Sequence, residues 1–586
     1  MAIDKLAPPL AAAYARYLEE DRRRAPLRRP ARMMGIVSVD QRAKPVRVVV
    51  SVECDPDMPL DEIRDEDIEV NEGGRRVHTA IVPLDALERL SDRPGVRRIV
   101  PAAQLRPYLD RAQVSTGVPT FRNRTGLTGR GVLVGVVDTG IDPRHAAFQG
   151  RIERIWDQTV LGGDGVPEGR YGAEFTTTSP TANPLSRDTD GHGTHVAGIA
   201  AGTEGLAPEA RIVAVKTDFQ DAHIIDGFQY VFRLARELGM PAVVNLSLGG
   251  HADAHDGTDV MSLGIEDEVG PGRVVCCAAG NEGDDDIHAR LVVPEGGVRS
   301  VPCHPGRVGG ALDLFWLNGW YPGSDRLEVA VVSPSGDTTG FQPVRPSDEP
   351  TVDHRLVDGT VQIVTPGPDR ENGDHNFFVT VEPAPTRFAR RAPWRLVLRG
   401  DRVSGPGSTA HVWMLGRADA DPQPQFSGPA VQDAFKIGSP GAATSAITVA
   451  ASTTRTEWRD VDGRQRRAPA LVIDDIASFS SEGPRRDDVQ KPDLAAPGAM
   501  IVSALSRDAF DMERHFIIDN SHAVLQGTSM ACPFVAGLCA LLLQGDPGAD
   551  PGKILTTLAE TATIPGAAPG AFDPKWGRGL VDAARL

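Results

Sequence analysis

Short apolar runs recur along the chain, and some of them end abruptly beside a polar residue. Residues 131–137 lead directly into Asp138. Residues 274–279 are followed, after one glycine, by Asn281. Unbroken runs of this length are typical of strands buried on both faces of a parallel sheet. A helical pattern over residues 224–239 stands between such runs, so the pattern predicts an α/β region.

The most apolar stretch is residues 530–543, which contain no charged residue before Asp546. It predicts a buried helix with Ser529 at its N-terminus. Free backbone N–H groups and the helix dipole would stabilise negative charge developing beside that hydroxyl. The alternative interpretation is a serine or threonine that only caps a core helix.

Residues 190–202 begin with Asp-Gly-His and continue in small residues, a pattern that predicts a closely packed helix. His192 and His195 are three positions apart, which suits metal binding. However, no third ligand follows at the spacing that zinc proteases use. A neutral imidazole at the start of a helix suits proton transfer, so His192 is the candidate base and His195 the structural histidine.

Asp138 begins the sequence Asp-Thr-Gly, which also occurs in aspartic proteases. Those enzymes need a second such carboxylate, and no other candidate has the strand context. Asn281 follows a predicted strand, where its amide is suited to donate a hydrogen bond to an oxyanion. Taken alone, an asparagine at this position is also explained by an ordinary turn.

The order Asp138, His192, Asn281 and Ser529, each in its strand or helix context, resembles the subtilisin-like serine proteases, the subtilase family. The resemblance covers about residues 125–283 and 433–586. It implies an α/β fold with a parallel sheet and helices on both faces. It further implies that Asp138, His192 and Ser529 form a catalytic triad and that the Asn281 amide lies in an oxyanion hole.

The implied substrate is a polypeptide that binds as an extended strand. No basic or acidic residue is placed in the implied side-chain pocket, so we expect an apolar preference for the residue before the cut. The implied substrate-binding residues are Ser247, Leu248 and Gly249 along the substrate backbone, and Ala278, Ala279 and Gly280 at the pocket floor.

The separation between Asn281 and Ser529 is far larger than a minimal subtilase needs, and alternating apolar residues with Gly and Pro turns predict an inserted antiparallel β-sandwich. It resembles the jelly-roll domains of some bacterial subtilases, and we favour a stabilising role over substrate or partner binding. Residues 150–187 are expected to be a surface excursion. The predicted domains are an N-terminal helix and basic arm (1–44), a propeptide-like α+β domain (45–118), a catalytic domain (119–289 and 433–586) and the inserted sandwich (290–432).

Residues 45–118 stand where subtilases carry an inhibitory propeptide, so the chain's own N-terminal domain is an expected partner. We expect a serine endopeptidase made as a zymogen that cuts itself. The alternative is a regulatory or binding subtilase that cleaves at most its own propeptide.

Charge and cysteine content narrow the remaining options. The net charge is −17, although residues 1–50 are basic, and an acidic body argues against nucleic acid. Six scattered cysteines fit a reducing compartment, and no run reaches the roughly 20 apolar residues of a membrane span. The N-terminus makes a poor secretory signal, so we expect a cytoplasmic protein. We expect no cofactor and assign no metal site. Calcium stays open, although the acidic residues 284–286 and 474–475 are more typical of solvated loops.

Overall fold

The computed structural model describes most of the chain beyond residue 110 and shorter stretches before it. Two compact units are present: Met1–Pro107 with Arg459–Gln465, and Tyr108–Trp458 with Arg466–Leu586. The helix predicted around residues 9–24 lies outside the described residues. Those residues are 5, 38–40, 47–55, 58–59, 67–70, 77–101, 110–161, 163, 165–176, 186–345, 351–384, 392–417 and 419–586.

The first unit contains a five-stranded antiparallel sheet and a short helix, as the sequence pattern predicts. Alternate residues Val50, Val52 and Cys54 of its longest strand are buried, which is the two-residue period of a half-covered sheet. The strands are Ser38–Asp40, Arg47–Cys54, Glu69–Val70, Val77–Pro83 and Val96–Pro101, and the helix is Leu87–Ser91.

The second unit is built on an eight-stranded sheet in which neighbouring strands are parallel except at one edge. This confirms the predicted α/β fold. In spatial order the strands are Leu494–Ala499, Ile447–Thr453, Arg273–Ala278, Ala242–Leu246, Leu133–Asp138, Arg211–Lys216, Ile152–Asp157 and Ala173–Thr176.

Helices cover both faces of this sheet. Alternate side chains of each central strand are therefore buried in two different clusters. Val134 and Val136 pack on one face, whereas Leu133 and Val137 pack on the other. The helices are His192–Ala201 and Thr528–Gly545 on the first face, and Asp221–Leu238 and Val260–Glu268 on the second. Further helices are Asp110–Ser115, Val118–Thr125 and Pro551–Thr561.

The described part of residues 150–187 is more than the surface excursion expected from the sequence. Ile152–Asp157 pairs parallel with Arg211–Lys216, and Ala173–Thr176 closes that edge of the sheet. Trp156 is fully buried and its ring lies 5.2 Å from that of Tyr230. The insertion therefore extends the core instead of lying on it.

In the described residues of the insertion between Asn281 and Ser529, two large antiparallel sheets are present, as the alternating pattern predicts, with a two-stranded sheet of Arg307–Val308 and Ala311–Leu312 beside them in sequence. We call residues 288–426 the inserted sandwich. Its first strand starts at His288, so this strand crosses the boundary predicted after residue 289. The larger sheet contains His288–Val293, Ser408–Leu415, Phe315–Tyr321, His375–Pro383, Gly359–Pro368 and Thr351–Leu356, and the smaller contains Arg326–Val332, Trp394–Arg402, Val298–His304 and Gln425–Phe426.

The helix Thr528–Gly545 has the length and apolar composition of a membrane span, alone among the helices of the described residues. However, 78% of that window is buried inside the protein. Its apolar character is explained by packing, since it lies against the main sheet in the larger core cluster. All six cysteines are free and buried, as small core hydrophobes would be.

Candidate active site

The four side chains singled out in the sequence lie at ends of strands or starts of helices. Carboxyl ends of parallel strands meet at one edge of a sheet, so this placement gathers them. The positions are Asp138 at the end of Leu133–Asp138, His192 at the start of His192–Ala201, Asn281 three residues after Arg273–Ala278, and Ser529 second in Thr528–Gly545.

Asp138 and His192 are in direct contact. The distance between His192 Nδ1 and Asp138 Oδ1 is 2.7 Å, and the same oxygen accepts the Thr139 backbone N–H. The Asp138 side chain is fully buried, whereas 26% of the His192 side chain is exposed. Because Nδ1 donates to the carboxylate, Nε2 is the nitrogen that can accept a proton.

The environment of His192 shifts its protonation. Burial opposes the charged ring, but the charge and hydrogen bond of Asp138 outweigh burial, and Asp190 and Asp188 add to them. The pKa of His192 is therefore raised above its ordinary value. A ring of this kind holds a proton strongly once it has accepted one.

Asp188, which sequence reasoning missed, ties the start of the histidine helix to the end of the aspartate strand. Its Oδ1 accepts the Thr139 hydroxyl at 2.8 Å and the Gly191 N–H at 2.8 Å. Its Oδ2 accepts the Thr194 N–H at 2.8 Å, and Thr139 Oγ1 accepts the Gly193 N–H. An aspartate just before a predicted helix start was the available signal.

Gly193 allows the histidine helix to approach the aspartate strand closely. A Cβ at this position would lie 2.2 Å from the Gly140 carbonyl oxygen, which is a backbone atom that cannot move aside. His192 thus reaches Asp138 because the next residue has no side chain.

His195 is a core residue, in agreement with its predicted structural role. Its Nε2 lies 3.1 Å from the Ile501 carbonyl oxygen and 3.2 Å from that of Ala523, so Nε2–H is the donor. Burial lowers the pKa of His195 to about 3, and the ring is neutral at ordinary pH.

Ser529 is 8% exposed, and it contacts Ser247 in the segment predicted to pair with the substrate. Its hydroxyl donates to the Ser247 carbonyl oxygen at 3.2 Å, and the Ser247 hydroxyl donates to the Ser529 carbonyl oxygen at 2.9 Å. Asn245 Nδ2 donates to Ser247 Oγ. Among the described residues, the hydrogen-bond partner of the Ser529 hydroxyl is thus Ser247 and not His192.

Asn281 and the Ser529 backbone N–H border one small space. Asn281 Oδ1 accepts the N–H and the hydroxyl of Thr528 at 2.9 and 3.0 Å, which leaves the Nδ2 hydrogens free to donate. A Cβ at Gly527 would lie 3.5 Å from both Asn281 Oδ1 and Ser529 N and 3.6 Å from Asn281 Nδ2. The side-chain amide nitrogen and the backbone nitrogen therefore lie near one another, as two donors to a developing oxyanion must. Thr528, which orients the amide, was missed from the sequence.

Residues 247–249, the segment predicted to pair with the substrate, contain backbone groups that can form new hydrogen bonds. Within the described part of the chain, the backbone groups of Leu248 and Gly249 have no hydrogen-bond partner, whereas the Gly250 N–H donates to the Ser439 carbonyl oxygen. Ala278 and Ala279, which are predicted to form the pocket floor, are nearly fully buried. The free groups can pair with an extended peptide.

The described residues contain no group of three or more His, Cys, Asp or Glu side chains arranged to hold a metal. Asp284, in one of the acidic stretches, accepts the Ser478 hydroxyl. No residue is therefore assigned as a metal ligand, and the predictions about calcium and cofactors stay predictions.

Fold and site together define an α/β protein with an aspartate–histidine pair and with a serine at the N-terminus of a buried helix. Residues 129–305 and 406–579 match the subtilase family (Peptidase_S8). The chain belongs to the subtilase family.

Known proteins with similar sequences are themselves subtilisin-like. Subtilisin-like protease SBT1.6 of Arabidopsis thaliana is 25% identical over 557 residues, which cover 83% of this chain and 66% of that protein. Subtilisin-like protease 5 of Trichophyton verrucosum is 30% identical over 225 residues, 35% of this chain and 50% of that protein. The chain spans slightly under two thirds of the length of the plant relatives.

Among solved structures, the Clostridium perfringens CspB protease is similar with a TM-score of 0.66 and 24% identity. The match covers 81% of this chain and 96% of that chain. At this identity the similarity shows a shared fold.

Proposed function

We propose that this protein is a serine endopeptidase that hydrolyses peptide bonds through an acyl-enzyme. The observation that carries the proposal is the 2.7 Å contact between His192 and the buried Asp138, and the nearness of Ser529 N and Asn281 Nδ2 to one point beside Gly527 supports it. A site that binds an anion next to a serine hydroxyl serves acyl transfer.

In the first half of the reaction, the Ser529 hydroxyl leaves the Ser247 carbonyl and gives its proton to His192 Nε2. Its oxygen attacks the substrate carbonyl carbon, and Asp138 stabilises the imidazolium. The oxyanion lies between Asn281 Nδ2 and the Ser529 N–H. His192 then protonates the departing amine, and an ester to Ser529 remains.

In the second half, water gives a proton to His192 Nε2 and its oxygen attacks the ester carbon. The same oxyanion position is used, and the tetrahedral intermediate collapses when Ser529 leaves and takes the proton from His192. The carboxylic acid product departs, so atoms and charges balance over one cycle.

The proposed substrate is an extended polypeptide. Its backbone pairs with the free groups of Leu248 and Gly249, and the side chain before the cut faces the floor formed by Ala278 and Ala279. Small buried residues at that floor support an apolar preference.

The labelling test uses a fluorophosphonate probe, which reacts with an activated serine. We expect wild-type protein to be labelled and Ser529→Ala to remain unlabelled. Hydrolysis of a peptide library by the same preparations then measures activity on added substrates. Labelling without hydrolysis of any peptide would instead favour the regulatory alternative, and absence of labelling in folded wild type would reject the proposal.

We further propose that residues 45–118 act as a propeptide that the chain cuts itself. The antiparallel sheet with one short helix in residues 38–101 supports this role. N-terminal sequencing of active protein should find a start beyond residue 100, whereas Ser529→Ala should keep the original N-terminus. Active protein that still begins at Met1 would contradict the proposal.

A further inference from the structure

Lys436 lies just beyond the inserted sandwich, and its side chain is fully buried. Its Nζ donates to three backbone carbonyl oxygens: those of Glu282 at 2.8 Å, Gly283 at 3.0 Å and Asp285 at 2.8 Å. An ammonium has three N–H donors, so the three carbonyls satisfy it completely. We call residues 281–285 the oxyanion loop, because it starts at Asn281.

A buried ammonium has to be compensated for its lost hydration. Burial lowers the pKa of Lys436, while the nearby carboxylates of Asp433, Glu482 and Asp285 act in the opposite direction. The Asp433 carboxylate is 3.8 Å away and mostly exposed, so the closest compensation comes from the loop carbonyls. The structure therefore places a charge where it orients three backbone carbonyls of the oxyanion loop.

The same loop is fixed from its other side. Glu282 Oε2 accepts the Asn281 backbone N–H at 2.7 Å and the Ser481 hydroxyl at 3.0 Å. Thr528 holds the oxygen of the Asn281 side chain. Lys436 thus holds the carbonyl of Glu282, the residue after Asn281, and the other two contacts fix the Asn281 N–H and side-chain oxygen.

We propose that Lys436 is a positioning residue for the oxyanion hole. Its ammonium holds the oxyanion loop so that Asn281 Nδ2 stays aimed at the position where charge develops. It acts through Asn281 and does not contact substrate. The inference rests on the proposed peptidase function.

The first test is Lys436→Met, which keeps the length of the side chain without its charge. Complete loss of one oxyanion donor costs about 10²–10³ in kcat, so we expect misplacement of that donor to lower kcat by at least about tenfold. We expect KM to change by less than about twofold, because the oxyanion forms only in the transition state. Rates are normalised to the folded fraction.

The matched control is Lys491→Met. Lys491 is also buried, and its Nζ donates to the Ala446 carbonyl oxygen and to Asp493, away from the oxyanion loop. It should lose stability but retain its kcat. Equal losses of kcat in the two variants would overturn the inference.

The second test combines Lys436→Met with Asn281→Ala. If Lys436 acts through Asn281, the double variant should have a kcat within about twofold of Asn281→Ala alone. A purely structural role predicts that the two losses multiply, and that result would also overturn the inference.

The third test protects against a Lys436→Met variant that fails to fold. Lys436→Ala is prepared with n-propylammonium, which replaces the missing atoms, and with n-propanol as the uncharged control. We expect propylammonium, but not propanol, to raise both Tm and kcat. A rise in Tm without recovery of kcat would show a structural role only and reject the positioning role.

These outcomes separate the two proposals. Folded wild type that is neither labelled by fluorophosphonate nor able to hydrolyse peptides rejects the peptidase function. Active wild type with Lys436 variants that behave like Lys491→Met rejects only the role of Lys436.

Discussion

At the residue scale, the hydrogen bond between Asp138 and His192 decides which ring nitrogen is free to act as a base. The carboxylate occupies Nδ1, so the proton of Ser529 has to go to Nε2. The proposed chemistry therefore depends on a carboxylate that itself never touches substrate.

Asp138→Asn tests this dependence. An asparagine amide can donate to Nδ1, which would put the ring proton on Nε2 and leave no base for Ser529. We expect kcat to fall by about 10⁴ with the fold retained. Asp190→Asn is the control, because Asp190 accepts the His192 backbone N–H, which an asparagine oxygen can also accept, so its kcat should change little. Comparable losses in both variants would contradict the argument.

The raised pKa of His192 predicts the acid side of the pH profile. The base works only when neutral, so activity is lost as the pH falls through the raised pKa. We expect the acid limb of kcat/KM to lie above about 6.5, the ordinary histidine value. Asp190→Asn should move that limb to lower pH. A limb below 6.5 in wild type would conflict with the observed surroundings of the ring.

At the element scale, Asp188 joins the start of one helix to the end of one strand. We expect Asp188→Ala to lower the free energy of unfolding by about 0.5–2 kcal/mol, the usual cost of a lost cap. It should also lower kcat, because His192 is the first residue of the helix that moves. Thermal unfolding and steady-state kinetics measure the two effects.

Asp550→Ala is the matched control for this prediction. Asp550 caps the helix Pro551–Thr561 by accepting the Lys553 N–H, and this helix carries none of the site residues. It should show a similar loss of stability with kcat unchanged. If Asp188→Ala also left kcat unchanged, the link between helix start and catalysis would be refuted.

At the scale of the whole molecule, the inserted sandwich packs on residues 251–258, which follow the segment predicted to pair with the substrate. The Trp413 ring stacks on His255 at 3.7 Å, and Trp413 Nε1 donates to the Phe435 carbonyl oxygen. Asn318 Nδ2 donates to the carbonyls of His251 and Asp253. These contacts connect the inserted sandwich to residues 251–258, which follow Leu248 and Gly249 in the chain.

Trp413→Ala tests this connection. Loss of a buried tryptophan should reduce the free energy of unfolding by about 3–5 kcal/mol. We also expect KM to rise. Residues 251–258 lose their support, so Leu248 and Gly249 are held less firmly for pairing with the substrate. Trp394→Ala is the control, since Trp394 is buried in the core of the inserted sandwich itself. It should lose similar stability without an increase in KM, and an equal increase would indicate a general effect of destabilisation.

Much of the fold could be predicted because its signals are local. The apolar run before Asp138 and the uncharged stretch after Ser529 each define one element and its end. The edge strands in residues 150–187 were missed, because their pairing with Arg211–Lys216 depends on a partner far along the chain. Thr528 was missed as a site residue for the same reason, since its partner Asn281 is known only after packing, whereas Asp188 had the local signal of an aspartate before a predicted helix start.

The sequence by itself determined the order of the reactive residues, the elements that carry them and the two kinds of β structure, because periodicity and helix-start patterns are properties of neighbouring residues. Only the tertiary structure decided that Nδ1 of His192 faces Asp138 and that the Ser529 hydroxyl faces Ser247. It also brought Lys436 beneath a loop 154 positions earlier in the chain. Contacts of this kind depend on how elements far apart in the chain pack together. No local sequence pattern encodes the relative position of those elements.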